Sequence, residues 1–149
     1  RLGIRVSPAE TAESCVSESD ILLVITGASK PVLNGEWIQS GTHINAAGAN
    51  SPNRRELDVE AVNRSNVIVV DDIDQARIEC GDINHAVDRG FVRWEQVRAL
   101  SDVVGGTPPG RNSDDDITLF ESQGVALEDM ALAARVYQLA IEQSIGVNF

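Results

Sequence analysis

The sequence predicts an α/β fold built on a parallel sheet, and three features support that prediction. Continuous apolar runs at residues 21–26 and 67–70 are typical of strands that are covered on both faces. Segments of helical character lie between the runs, so that strands and helices alternate along the chain. Residues 124–145 are alanine-rich and carry few charges, which predicts one long, closely packed helix at the C-terminal end.

The remaining elements are expected in the following order. The first predicted helix begins with a capping box, in which Ser7 is the N-cap, Pro8 the first helical residue and Glu10 the reciprocal cap. This helix is expected to end near Val16. The predicted strands cover residues 4–6, 21–26, 42–47, 67–70 and 117–120. The predicted short helices cover residues 58–64, 73–80, 83–89 and 94–103, and residues 105–116 form a loop.

Composition narrows the classes of function. A length of 149 residues suits one domain, and 42% hydrophobic with 4% aromatic residues predicts an aliphatic core. A net charge of −11 argues against a nucleic-acid partner, because phosphates require a basic surface. No apolar run approaches the ~20 residues that span a bilayer, so no membrane partner is expected. Cys15 and Cys80 lie far apart with no CxxC spacing, which is typical of reduced thiols and predicts a cytoplasmic location.

Ligands of open α/β sheets bind beyond the carboxyl ends of the strands. Three segments qualify here, at residues 26–29, 46–55 and 122–124. The small residues at 46–49 leave room for a flat ring, although close packing of a strand on a helix requires small residues equally. No GxGxxG motif occurs, so the phosphate-binding turn of a dinucleotide fold is missing. Either the fold is a different one or the chain starts after that turn, and a beginning at Arg1 on a strand-like segment favours the second interpretation.

Several motifs resemble, in order, those of the ornithine cyclodeaminase/mu-crystallin family. HINAAGANSP at residues 43–52, followed by RELD at 55–58, is the most specific of them. The others are Thr26 with KPVL at 30–33, GEW at 35–37, VVD at 69–71, QA at 75–76, GR at 110–111 and ITLFESQGVALED at 117–129. The resemblance covers nearly the whole chain, and it identifies the family more specifically than the particular reaction.

The resemblance implies a domain organisation. Residues 1–123 correspond to the second half of a Rossmann-like NAD(P)-binding domain, and the sheet is therefore a partial one. Residues 124–149 correspond to the helix that returns toward a substrate and dimerisation domain, which the sequence lacks. The cofactor implied is NAD or NADP, and the full-length parent is expected to be a homodimer. Without the phosphate-binding turn, this segment alone is expected to bind the cofactor weakly and to be inactive.

The resemblance also implies cofactor contacts at the three loops. The implied cofactor-binding residues are Thr26, Gly27 and Ala28, then Ala47, Gly48 and Ala49, and then Ser122, Gln123 and Gly124. Alternative interpretations remain for two of them. Thr26 can be a simple strand-end hydroxyl, and Ser122 can be a cap for the helix that follows.

The candidate catalytic residues are Asn50 and Arg54. Asn50 stands where ornithine cyclodeaminases carry a catalytic Asp, and an amide can neither take up a proton nor offset the charge of an iminium. Arg54 stands at a Lys of that pattern and can bind a substrate carboxylate through a bidentate fork. The alternatives are a turn residue for Asn50 and a solvated surface arginine for Arg54. His43 and His85 lack ligand spacing, so no metal site is expected, and neither is a candidate base.

These observations favour an NAD(P)-dependent oxidoreductase that acts on the C–N bond of a small imino or amino acid. The substrate expected is a cyclic imine acid or an α-amino acid, and the cofactor carries the hydride. Two alternatives stay open. One is an ornithine cyclodeaminase, which Asn50 argues against. The other is a non-catalytic, mu-crystallin-like protein that binds NADPH and a small ligand.

Overall fold

In a computed structural model, which describes residues 3–147, five strands form one parallel sheet. The strands are β1 (Ile21–Val24), β2 (His43–Ala46), β3 (Val67–Val70), β4 (Val97–Ala99) and β5 (Thr118–Glu121). The helices are α1 (Ala12–Ser17), α2 (Val59–Arg64), α3 (Ile73–Glu79), α4 (Gly81–Asp88), α5 (Leu100–Val104) and α6 (Ala126–Glu142), with 3₁₀ turns at Gly35–Trp37 and Trp94–Gln96. The predicted α/β class, with flanking helices and a long C-terminal helix, is confirmed.

The strand order β1-β2-β5-β3-β4 determines which face each connection covers. The chain advances in one direction from β1 to β4 and then returns to insert β5 between β2 and β3. Because crossovers between parallel strands are right-handed, the connections before β4 lie on one face and the return connection with α5 lies on the other. The carboxyl end of β5 therefore lies between the carboxyl ends of β2 and β3.

The main core lies on the face that α2 and α4 cover. Alternate residues of β1 and β2 point to it, as the period of two in a strand requires. Every residue of β3 is buried, which matches its continuous apolar run. The core residues from the strands include Leu22, Val24, Ile44, Ala46, Ile68, Val70 and Leu119, and those from α2 and α4 include Ala61, Val62, Ile83 and Ala86.

The opposite face of β1 is open, which corrects the expectation that residues 21–26 are covered on both sides. Ile21 is 65% and Leu23 is 71% exposed. The physical reason is that β1 is the edge strand and the return connection does not reach it. Helix α6 is likewise exposed along most of its length, with Tyr137 69% exposed, so the described residues do not provide the close packing that the sequence predicted for it.

The sequence predicted one helix over residues 94–103, and the structure corrects this prediction. The segment forms a 3₁₀ turn, then β4, then α5. Val97 pairs with Ile68 of β3 and is 5% exposed. Pairing with an open sheet edge buries an apolar side chain and satisfies backbone groups at once, and this outweighs the local preference for helix.

The N-terminal expectations also require correction. Residues 4–6 form no strand, and Ile4 and Val6 are exposed, because a strand needs a hydrogen-bonded neighbour. The first helix is capped by Thr11 rather than Ser7, and Thr11 exchanges capping hydrogen bonds with Ser14. The predicted start of α2 holds, since the Asp58 carboxylate accepts a hydrogen bond from Ala61 N at 2.8 Å.

Candidate active site

The three loops singled out in the sequence leave the sheet at the same end, where the strands have their carboxyl termini. Strand hydrogen bonding continues one residue beyond the strands, with Ala47 N donating to Val24 O at 2.9 Å and Ser122 N donating to Ala46 O at 2.9 Å. The loops that follow β1, β2 and β5 therefore begin side by side. This end is where ligands of parallel sheets bind.

The loop after β1 is the most accessible of the three. Thr26 and Gly27 are exposed and Ala28 is half-buried. The Thr26 hydroxyl accepts a hydrogen bond from Ala28 N at 3.2 Å, which folds the loop back on itself. Open space surrounds Gly27 where a side chain would stand. This loop can therefore present backbone groups to a ligand.

The loop after β2 is packed more tightly than an open ring-binding surface. Ala47 is half-buried, whereas Gly48 and Ala49 are buried. A Cβ on Gly48 would overlap the carbonyl oxygen of Thr26 and the carboxylate of Glu56, so the absence of a side chain at Gly48 serves close packing. The small residues at 46–49 had two explanations, room for a flat ring and close packing. Close packing is the explanation that applies at Gly48.

Asn50 and Arg54 are brought together at the exposed end of the same loop. Arg54 Nη1 donates to Asn50 Oδ1 at 3.4 Å, and Arg54 N donates to Ser51 O at 2.9 Å in a tight turn. The turn rests on the start of α4, where Gly81 N donates to Ala49 O at 3.1 Å. Both side chains thus stand on a fixed turn beside the strand ends, within reach of a ligand there.

The loop after β5 is organised by the carboxylate of Asp71. One oxygen, Asp71 Oδ2, accepts hydrogen bonds from Gln123 N and Gly124 N at 2.7 Å each and from the Ser122 hydroxyl at 3.2 Å. Ser122 does not cap α6 with its side chain, because the N-cap of that helix is Val125. Asp71, the acidic residue directly after β3, therefore holds the Ser122–Gly124 loop in place.

Three acidic side chains lie buried beneath these loops. Glu56 and Glu121 are 0% and Asp82 is 2% exposed. Glu56 accepts hydrogen bonds from the backbone N–H groups of Thr26 and, at 2.6 Å, Gly48. Asp82 accepts the N–H groups of Glu56 at 2.9 Å and Leu57 at 3.1 Å. Backbone N–H donors thus satisfy carboxyl oxygens of both Glu56 and Asp82, as buried polar groups require.

Burial changes the protonation of this cluster. Desolvation raises the pKa of Asp82 from 3.8 to about 7. Desolvation and, next, the charge of Asp82 raise the pKa of Glu121 well above its usual range. Within residues 3–147 neither Glu121 oxygen has a hydrogen-bond partner of ordinary geometry, although Asp82 and the Cys80 thiol lie near enough to act on its pKa. Burial and Glu121 likewise raise the pKa of Cys80, so its thiol stays neutral.

Each histidine has one side-chain partner. His43 is the first residue of β2, at the end of the sheet opposite the three loops, and its Nδ1 lies 2.7 Å from Thr118 Oγ1. Arg55 Nη1 lies 2.7 Å from His85 Nε2, and burial together with Arg55 lowers the pKa of His85, so the ring is neutral and accepts this bond. His43 therefore lies away from the three loops, whereas His85 contacts Arg55, the last residue of the loop at 46–55.

Glu56, Asp71, Asp82 and Glu121 are the residues that sequence reasoning did not assign to the site. The RELD motif at 55–58 and the acidic residue that ends the VVD motif at 69–71 were the available signals for the first two. Across residues 3–147, no group of three or more His, Cys, Asp or Glu side chains is arranged to hold a metal ion. The same residues include no helix that is long and apolar enough to cross a membrane.

Comparison with known proteins relates this arrangement to NAD-binding enzymes. Alanine dehydrogenase of Archaeoglobus fulgidus is 44% identical over 142 residues, which is 95% of this chain and 42% of that protein. The structure of Thermococcus litoralis Delta(1)-pyrroline-2-carboxylate reductase in complex with NADH and L-proline matches with a TM-score of 0.87 at 39% identity, covering 95% of this chain and 44% of that one. An archaeal alanine dehydrogenase dimer with bound NAD has a TM-score of 0.81 at 42% identity and covers 94% of this chain and 43% of that one.

This chain thus spans less than half the length of each of these relatives. The structural matches agree with the partial Rossmann-like sheet predicted from the sequence. Residues 1–144 match the sequence profile of the ornithine cyclodeaminase/mu-crystallin family. The chain belongs to the ornithine cyclodeaminase/mu-crystallin family.

Proposed function

We propose that this chain is the cofactor-side portion of an NAD(P)-dependent oxidoreductase that acts on the C–N bond of a small imino or amino acid. The observation that carries the proposal is the convergence of three loops, led by Thr26, Ala47 and Ser122, at the carboxyl end of the sheet. The similarity to a reductase holding NADH and L-proline and to an alanine dehydrogenase supports both the cofactor and the substrate class.

The proposed organisation has two parts. In this proposal residues 1–123 correspond to the second half of a Rossmann-like NAD(P)-binding domain, and residues 124–149, which include α6, lead to a substrate and dimerisation domain. The exposed apolar residues of α6 support this division, since an isolated apolar helix needs a partner. The dimeric alanine dehydrogenase supports a homodimer for the complete enzyme. The two free thiols are consistent with a cytoplasmic location, which we also propose.

The described residues fit the nicotinamide side of the dinucleotide. Gly27 and Gly124 have open space where a side chain would stand, and Thr26, which precedes Gly27, is exposed. In our proposal Thr26, Gly27 and Ala28 and the loop of Ser122, Gln123 and Gly124 would contact the nicotinamide side of the cofactor. Ala47, Gly48 and Ala49 would contribute by allowing the loop after β2 to pack closely beneath it. When bound, the cofactor would supply or accept the hydride of the reaction.

Asn50 and Arg54 are the proposed substrate-side residues. Their mutual hydrogen bond at 3.4 Å is long enough to be exchanged for contacts with a ligand. Arg54 would bind the substrate carboxylate, and Asn50 would hold the amine or imine nitrogen by a hydrogen bond. Because an Asn side chain cannot take up a proton, this pair suits hydride transfer better than deamination with ring closure.

The test uses the complete reading frame that encodes residues 1–149. We expect oxidation of NADH or NADPH with pyrroline-2-carboxylate, or with pyruvate and ammonia, measured as the loss of absorbance of the reduced cofactor. Ammonia release from ornithine without net cofactor turnover would contradict the proposal and identify a cyclodeaminase. Tight cofactor binding with no turnover on any imino or amino acid would identify a binding protein instead.

Two further preparations sharpen the result. Asn50→Asp restores the carboxylate of the cyclodeaminase pattern, and we expect it to lower the reductase kcat without creating release of ammonia from ornithine. The 149-residue chain by itself is expected to bind NADH weakly, because it lacks the phosphate-binding turn. Stoichiometric, tight binding of NADH by that chain in a fluorescence titration would refute this part of the proposal.

A further inference from the structure

Glu56 is a buried acid whose side chain connects two of the candidate cofactor loops. Its carboxylate accepts hydrogen bonds from Thr26 N in the loop after β1 and from Gly48 N in the loop after β2, the latter at 2.6 Å. The two donors belong to loops that follow different strands, and they lie 30 and 8 residues from Glu56 along the chain. One side chain therefore joins the two loops beyond the Ala47 N–Val24 O hydrogen bond at their bases.

The main chain of Glu56 is itself held rigidly. Its N–H donates to the Asp82 carboxylate at 2.9 Å, and its carbonyl accepts from Val32 N at 2.8 Å and Leu33 N at 3.0 Å. Glu56 is 0% exposed, so water cannot replace these partners. A carboxylate that is fixed at its base and bonded at both oxygens has little freedom to move.

Gly48 shows that this contact depends on close approach. A Cβ at Gly48 would overlap both the Glu56 carboxylate and the Thr26 carbonyl. Any side chain there would force the two loops apart or displace the carboxylate. The glycine and the acid thus form one arrangement, and the arrangement lies directly under the exposed surface of Thr26 and Gly27.

We propose that Glu56 is a positioning residue for the dinucleotide, because it holds the Thr26 and Gly48 loops at the spacing that the nicotinamide side requires. This inference rests on the proposed function. Glu56 would touch neither cofactor nor substrate, since its side chain is completely buried. Its effect on binding would be transmitted through the backbone of the two loops.

The test compares Glu56→Gln with Glu36→Gln in the complete reading frame that encodes residues 1–149. In the first variant an amide NH2 faces one of the two N–H donors, so one acceptor is lost and two donors oppose each other. Glu36 is exposed in the 3₁₀ turn and serves as the matched control. The measurements are the NADH Kd by fluorescence titration, the KM for cofactor and for imino acid, kcat, and the urea midpoint.

We expect Glu56→Gln to raise the NADH Kd by roughly tenfold or more, with a smaller change in the KM of the imino acid, and Glu36→Gln to leave both unchanged. A lower urea midpoint with an unchanged NADH Kd would overturn the inference, since Glu56 would then stabilise the fold only. Failure of the wild-type protein to bind NADH at all would instead refute the proposed function.

A second measurement needs no variant. If Glu56 holds the two loops, the amides of Thr26 and Gly48 are protected from hydrogen exchange in the cofactor-free protein, although the Thr26 side chain is exposed. Ordinary loop exchange at both amides would overturn the inference even if Glu56→Gln failed to fold.

Discussion

Asp82 offers the sharpest test of the buried acidic cluster, and Asp82→Asn is the perturbation. Asp82 Oδ1 accepts the N–H groups of Glu56 at 2.9 Å and Leu57 at 3.1 Å. An Asn oxygen in the same position keeps both bonds, while the amide removes the titrating carboxyl. The side chain is 2% exposed, and burial raises the pKa of Asp82 from 3.8 to about 7.

The sign of the pH effect follows from that shift. The unfolded chain releases the Asp82 proton near pH 4, whereas the folded chain keeps it until about pH 7. Between these values the folded state binds more protons, so the free energy of unfolding falls as the pH rises. Each pH unit in this window costs about 1.36 kcal/mol. Between pH 5 and pH 8 the wild-type chain should therefore lose about 3 kcal/mol relative to Asp82→Asn.

Urea unfolding followed by circular dichroism at pH 5, 6, 7 and 8 measures this difference. Asp88→Asn is the matched control, because Asp88 is exposed at the end of the same helix α4. The control should follow the wild type within about 0.5 kcal/mol at every pH. A difference between Asp82→Asn and wild type that stays constant from pH 5 to pH 8 would refute the reasoning, because Asp82 would then be ionised in the folded chain throughout.

Three further predictions concern the loops and the thiols. Gly48→Ala should lower the free energy of unfolding, measured by urea titration, by at least about 2 kcal/mol, because the added methyl group overlaps neighbouring carboxylate and carbonyl oxygens. Gly27→Ala, whose methyl group would stand in open space, should change the same free energy by less than about 0.5 kcal/mol. Asp71→Asn should speed hydrogen exchange at the Gln123 and Gly124 amides, which donate to the Asp71 carboxylate, by about tenfold, since a neutral acceptor binds more weakly. Unchanged exchange at these amides would show that the charge of Asp71 is unimportant for holding the loop. An aromatic disulfide reagent should label the exposed Cys15 at once and the buried Cys80 only on unfolding, so rapid labelling of two thiols in the native chain would contradict the burial of Cys80.

The sequence predicted the strands well where hydrophobicity alone decides the structure. The apolar run at 67–70 became the fully buried β3, and the long alanine-rich segment became α6. It failed at β4, where three residues form a strand only because the edge of β3 is available for pairing. It also failed at residues 4–6, which have strand-like composition but no neighbouring strand to pair with.

The candidate site divides in the same way. Positions of small and polar residues after apolar runs were sufficient to select the loops at Thr26, Gly48 and Ser122, because strand ends are local features. The family resemblance added Asn50 and Arg54, which the fold places 3.4 Å apart on one exposed turn.

Local chemistry thus accounts for the family, the α/β class and the loops at the strand ends, since each is encoded by neighbouring residues. The roles of Glu56, Asp71 and Asp82 depend on contacts that reach up to 53 residues along the chain. An acidic residue in a sequence is ordinarily expected to be solvated, and only the tertiary structure shows that backbone N–H groups surround these carboxylates. The physical reason is that long-range packing, and not local pattern, decides which charges are removed from water and which donors meet them.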